Sequence, residues 1–108
     1  MFGWTIYRVR GASMQPTLQS GDFLLLRKRA AAPLEIVVVR HPRFGTIVKR
    51  VDWDGLLSGD DPDSTDTDRL GAYDPATLVG VAVLAITPSG VRRPSPPSGR
   101  RSGSRDEA

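Results

Sequence analysis

The chain of 108 residues has no cysteine. That excludes disulfides, a thiol nucleophile and any thiolate metal site, and it fits a reducing compartment. Histidine occurs once, as His41 in "RHPR". A lone histidine on a turn between two apolar runs reads as a surface residue, so a Ser–His–acid triad is not expected. With one His and no Cys, metal ligation would fall to carboxylates. The acidic stretch "DDPDSTDTD" lacks the glycine at position six and the glutamate at position twelve that a calcium loop needs. No metal and no other cofactor is expected. Long apolar runs are missing too. The longest are "FLLL", "IVVV" and "VGVAVLAI", far short of the roughly 18 residues that cross a bilayer. The N-terminal "MFGWTIYRVRG" is too short and polar for a secretory signal. The expectation is a soluble chain with no transmembrane segment.

The net charge is +3, and its placement is uneven. Residues 1–87 hold ten Lys/Arg against ten Asp/Glu, while residues 88–108 hold five Arg against Asp106 and Glu107. The basic pI therefore describes a tail, and no folded basic face for specific nucleic-acid binding is implied. That tail, "PSGVRRPSPPSGRRSGSRDEA", is mostly Pro, Ser, Gly and Arg, with one Val and the closing Asp-Glu-Ala. It has too little apolar surface to offset ordering entropy and is expected to be disordered. The expected division is a folded domain over 1–87 and a tail over 88–108.

Within the first part, short runs rich in β-branched and aromatic residues recur at even spacing: 4–9, 22–28, 35–40, 44–51, 56–59 and 77–87. Turn signals separate them, and no amphipathic helix of useful length appears. The pattern predicts an all-β barrel or sandwich. Residues 60–76 read as a long polar loop, a kind usually tied to function or disorder.

The stretch "GASMQPTL" (11–18) places Ser13 on a proline-stiffened loop. Gly, Ser, Pro and Thr are ordinary turn formers, so the stretch reads equally as a plain turn. If Ser13 is a nucleophile, its base cannot be a histidine from elsewhere, and lysine is the remaining option with precedent. Thirteen arginines stand beside two lysines, Lys28 and Lys49. Arginine does not release its proton in a protein, and lysine can be tuned to do so. Lys28, between two arginines, reads as solvated. Strand alternation puts Lys49 on one face with Ile47 and Val51, and Arg50 on the other with Val48. Burial on that apolar stripe would lower the lysine pKa, at about 1.4 kcal/mol of stability per pH unit. The alternative is a buried stem with the ammonium snorkelling into water.

These pieces together resemble the type I signal peptidases, the S26 family of Ser/Lys peptidases. "GASMQPTLQSGDFLLLRK" resembles their nucleophile box and "IVKRV" their lysine box. "LLSGDDPDSTDTDRLGAY" is similar to their third box, and "TLVGVAVL" to their closing strand. The resemblance implies a β-rich fold with Ser13 as nucleophile and Lys49 as general base. It implies an oxyanion donor in the Ser13 backbone N–H and a substrate pocket lined by Met14. Asp60 and Arg69 would hold the third box against the site, and Ser64 or Thr65 would touch Lys49. Gly11 stands where some relatives carry a second oxyanion hydroxyl, and "DTDR" departs from the family's Asp-Ser-Arg. A carboxylate there would raise the lysine pKa and oppose activation.

No anchor precedes Ser13, and the ten residues from Lys49 to Gly59 leave no room for a capping domain. A short member of this kind resembles the nickel-type superoxide dismutase maturation proteases. The resemblance implies a protein substrate, a precursor of that dismutase with an N-terminal propeptide, processed in the bacterial cytoplasm. Two rival expectations stand beside it. One is signal-peptidase processing of exported precursors through membrane recruitment by the basic tail. The other is a repressor-like nucleic-acid-binding domain, weakened by the lack of a helix-turn-helix.

Overall fold

The computed structural model describes residues 3–61 and 70–94. The fold is all-β, as expected. Among the described residues seven strands run in chain order: β1 (Trp4–Arg8), β2 (Phe23–Arg27), β3 (Ile36–His41), β4 (Gly45–Val51), β5 (Leu57–Ser58), β6 (Leu78–Thr87) and β7 (Gly90–Arg92), with one 3-10 turn at Pro75–Thr77. Every pairing is antiparallel, and the strands join one open sheet in the order β1-β2-β6-β3-β4-β5, with β7 off this path on β6. Among the described residues, the hydrogen bonding neither closes into a barrel nor splits into two stacked sheets.

The ten-residue β6 is the hub. One of its edges carries β2, paired from Val81 to Ile86. The other is shared by β3, paired from Leu78 to Val81, and by β7, paired from Ala85 to Thr87. A two-residue turn, Pro88-Ser89, leads into β7, so the sheet runs past residue 87 into the basic segment. Residues 95–108 lie outside the described residues. Where β6 crosses β2 the strands approach closely: a Cβ on Gly80 would lie 2.7 Å from Leu26 Cβ. A glycine inside a strand marks such an approach.

The run "IVVV" lacks alternation because β3 is covered on both faces, and Ile36 to Val39 are all buried. One apolar cluster joins Met14 and Leu18 of the β1–β2 loop to Leu24, Leu26, Ile36, Val38 and Val48. The second lies on the other face, with Val37, Val39, Val51, Leu57, Leu70 and Val81. The β3–β4 hairpin turns through Pro42, Arg43 and Phe44, with His41 opposite Gly45. Gly45 has φ 75°; the three-residue hairpin requires this left-handed residue at its end.

Candidate active site

Ser13 lies on the loop that joins β1 to β2, and main-chain bonds close the neck of that loop. Val9 N–H donates to Asp22 O at 2.8 Å, and Gly21 N–H donates to Val9 O at 2.8 Å. The Asp22 carboxylate, 4% exposed, accepts the Gln19 N–H at 2.9 Å. Inside the loop, Gln15 N–H reaches Ala12 O and Leu18 N–H reaches Met14 O. The second bond is helix-like, so Met14 and Leu18 drop side by side into the core. The Gln15–Pro16 peptide is cis. The Ser13 N–H donates to no acceptor among the described residues.

A second set of contacts ties this loop to β4 and to the turn after β5. Arg50 is wholly buried and binds Asp60 through two bonds, Nε to Oδ1 at 2.8 Å and Nη2 to Oδ2 at 2.6 Å. The Arg50 Nη1 donates to Leu34 O at 2.7 Å. The Thr17 hydroxyl donates to the same Asp60 carboxylate. The Asp61 N–H donates to Ser13 O at 2.8 Å. Asp60 thus clamps the serine loop onto β4, and Asp61 fixes the Ser13 carbonyl. From the far side, the Arg92 guanidinium of β7 donates to Thr17 O.

Ser13 and Lys49 line one cleft of about 180 Å³, together with Tyr7, Arg10, Phe44, Thr46, Ile47, Val48 and Leu70. Lys49 is 4% exposed. Burial lowers its pKa from the ordinary lysine value, because desolvation disfavours the ammonium. No hydrogen bond or ion pair engages its amine among the described residues. The cleft runs along a stretch of β4 edge that no described strand covers. Both main-chain groups of Val51 face β3, since Val51 N–H reaches Glu35 O and Val51 O accepts Leu34 N–H. Alternation then turns the main-chain groups of Val48 and Thr46 outward. There β5 pairs only with Arg50 and Val51. The groups of Thr46 and Val48 are therefore open to an added strand among the described residues.

The other expected residues fall elsewhere. Met14 is 1% exposed, packed in the core cluster beneath the loop, and does not line the cleft. Its apolar side chain anchors the serine loop from below. Ser64, Thr65 and Arg69 lie outside the described residues, as does the "DTD" stretch. His41 is held on both ring nitrogens by main chain: Nδ1 accepts the Arg43 N–H at 3.0 Å, so Nε2 carries the proton toward Leu70 O at 2.8 Å. Lys28 donates to Leu78 O at 2.8 Å. Sequence reasoning missed the burial of Arg50. It placed Arg50 on the face away from Lys49 without recognising that this face of β4 is also covered. It also missed Tyr7, Arg10 and Phe44 as walls of the cleft. Tyr7 pairs with Leu24 across β1 and β2, and the inward row of that hairpin was the available signal.

Residues 1–52 match the family model described as "Signal peptidase, peptidase S26". The matched segment, just under half of the chain, carries both Ser13 and Lys49. No curated protein and no solved structure matches it.

Proposed function

We propose that this chain is a serine endopeptidase with Ser13 as nucleophile and Lys49 as general base, and that it removes an N-terminal propeptide from a protein precursor. One observation carries the reading: a serine hydroxyl and a buried lysine without a counter-ion among the described residues line the same cleft. The lowered pKa of Lys49 favours the neutral amine that a base must be.

The substrate lies extended along the open edge of β4 and adds a strand through the main-chain groups of Thr46 and Val48. Lys49 Nζ takes the proton of Ser13 Oγ as that oxygen bonds to the scissile carbonyl carbon. The unengaged Ser13 N–H donates to the developing oxyanion. Lys49 passes the proton to the departing amine as the C–N bond breaks, leaving an acyl-Ser13. Lys49 then deprotonates a water that attacks the ester, and Ser13 is regenerated. Because the base works neutral, turnover falls as pH drops through the Lys49 pKa.

For the precursor itself, the short third-box spacing and the "STD" stretch favour nickel-type superoxide dismutase, with processing in the cytoplasm. The test is incubation of the purified chain with that precursor and mass spectrometry of the new N-terminus. Cleavage is expected, and Ser13→Ala and Lys49→Arg each abolish it while leaving the fold intact. Full activity in Lys49→Arg removes Lys49 from the mechanism. A second reading, processing of exported precursors at a bilayer, has one observation in its favour. Ile6, Phe23, Ile86 and Val91 are exposed, and cross-strand pairing puts the last three in one row. Cleavage of an exported precursor in preference to the dismutase precursor would select it.

A further inference from the structure

The wall of the cleft opposite β4 carries a charge that the hydrolytic steps do not use. Arg10 lines the cleft beside Ser13 and Tyr7. Its side chain is exposed and makes no hydrogen bond or ion pair among the described residues. It lies close enough to Tyr7 that its charge acts on the phenol. Burial nevertheless outweighs that charge and raises the Tyr7 pKa, so the hydroxyl stays protonated and able to donate. At the mouth, the Arg43 guanidinium lies 5.8 Å from the centre of the Phe44 ring, and Phe44 lines the cleft. No carboxylate is among the described residues that line the cleft.

We propose that Arg10 and Tyr7 form a carboxylate subsite, so that the cleft selects peptides with an Asp or Glu close to the scissile bond. This inference rests on the hydrolase reading above. An arginine fork and a phenol O–H both donate and neither competes for the proton, which is the donor set that a carboxylate accepts. Electrostatics at Lys49 demands such a partner. A bare carboxylate entering the cleft would favour the Lys49 ammonium and oppose its use as a base. Paired with Arg10, its charge is largely neutralised and Lys49 keeps its function. The aliphatic wall of Ile47, Val48 and Leu70 takes the apolar neighbours of the acidic residue.

The experiment offers the full chain a randomised peptide library and identifies the new termini by mass spectrometry. Cleaved peptides are then remade with Glu, Gln or Lys at each position flanking the bond. The expected result is a Glu-over-Gln preference of about tenfold in kcat/KM at one flanking position, the change that 1.4 kcal/mol produces. It appears in KM more than in kcat, and it weakens at high salt because the arginine is exposed. Arg10→Glu reverses the preference toward Lys peptides, and Arg10→Lys restores part of the Glu preference. Tyr7→Phe reduces the preference without reversing it. Equal cleavage of Glu and Gln peptides at every flanking position overturns the subsite, as does an unchanged preference in Arg10→Glu. Absence of cleavage for the whole library refutes the hydrolase reading, and the subsite with it.

Discussion

Replacing Asp60 by Asn removes one charge and almost no volume, so its effect isolates the clamp on the serine loop. In the native chain the Asp60 side chain is 1% exposed and that of Arg50 is 0% exposed, and they share two charge-assisted bonds. Two such charges attract strongly in a dry interior, but each has lost its hydration. Breaking a buried pair by neutralising one member costs about 3–5 kcal/mol, because the other charge remains buried and uncompensated. A small domain holds only about 5–15 kcal/mol in all, so Asp60→Asn should lose a large share of its stability in urea unfolding. The Thr17 hydroxyl keeps an acceptor in the Asn side chain, so the loss reports chiefly on the Arg50 charge. Arg50→Met should cost a similar amount, with the Asp60 carboxylate losing both guanidinium bonds and Leu34 O losing a donor. The double variant removes both charges together. Its loss should fall well short of the summed single losses, by more than about 1 kcal/mol of coupling. Strict additivity, or a loss in Asp60→Asn below about 1 kcal/mol, would refute a dry, mutually dependent pair.

Three other outcomes follow from the packing. Lys49→Met should abolish cleavage yet raise stability at neutral pH in urea titrations. A lysine whose folded pKa is lowered costs most below that pKa, and the cost disappears above the ordinary lysine value near 10.4; the gain should therefore shrink as pH rises through that window. Met14→Ala should cost about 2–5 kcal/mol by emptying a core site, whereas Met14→Leu should cost less than about 1.5 kcal/mol. Gly80→Ala should lower the thermal midpoint, because the new Cβ meets Leu26 Cβ at 2.7 Å and one strand must give by about 1–3 kcal/mol.

How much of this was legible beforehand differs from element to element. The strands were readable because each is a β-branched or aromatic run cut off by turn chemistry, as in "EIVVVRHPRFGTIVKRV". Lys49 was readable because alternation sets it between Ile47 and Val51, and both of those pack in the second core cluster. Sheet order was not readable: β6 joins β2 to β3 across the chain, and nothing local in "TLVGVAVLAIT" names those partners. β7 was overlooked because composition suggested disorder, while a two-residue turn and the long β6 edge supply ladder bonds that composition does not register. The burial of Arg50 was overlooked for a similar reason. Alternation assigns a side chain to a face, and only the tertiary fold says what covers that face. Met14, assigned by resemblance to the substrate pocket, is buried in the core cluster beneath the serine loop, a depth that its place beside the serine did not reveal.

The account rests on an amine that gives up its proton more readily than lysines in water do. The chain has only two lysines, so nitrogen-15 NMR of the lysine side chains yields two titrations, and the Lys49→Arg variant identifies which belongs to Lys49. The account predicts a Lys49 midpoint clearly below the ordinary value of about 10.4, retained in Ser13→Ala. A midpoint at or above that value would mean a charged Lys49 at working pH and would contradict its role as the base.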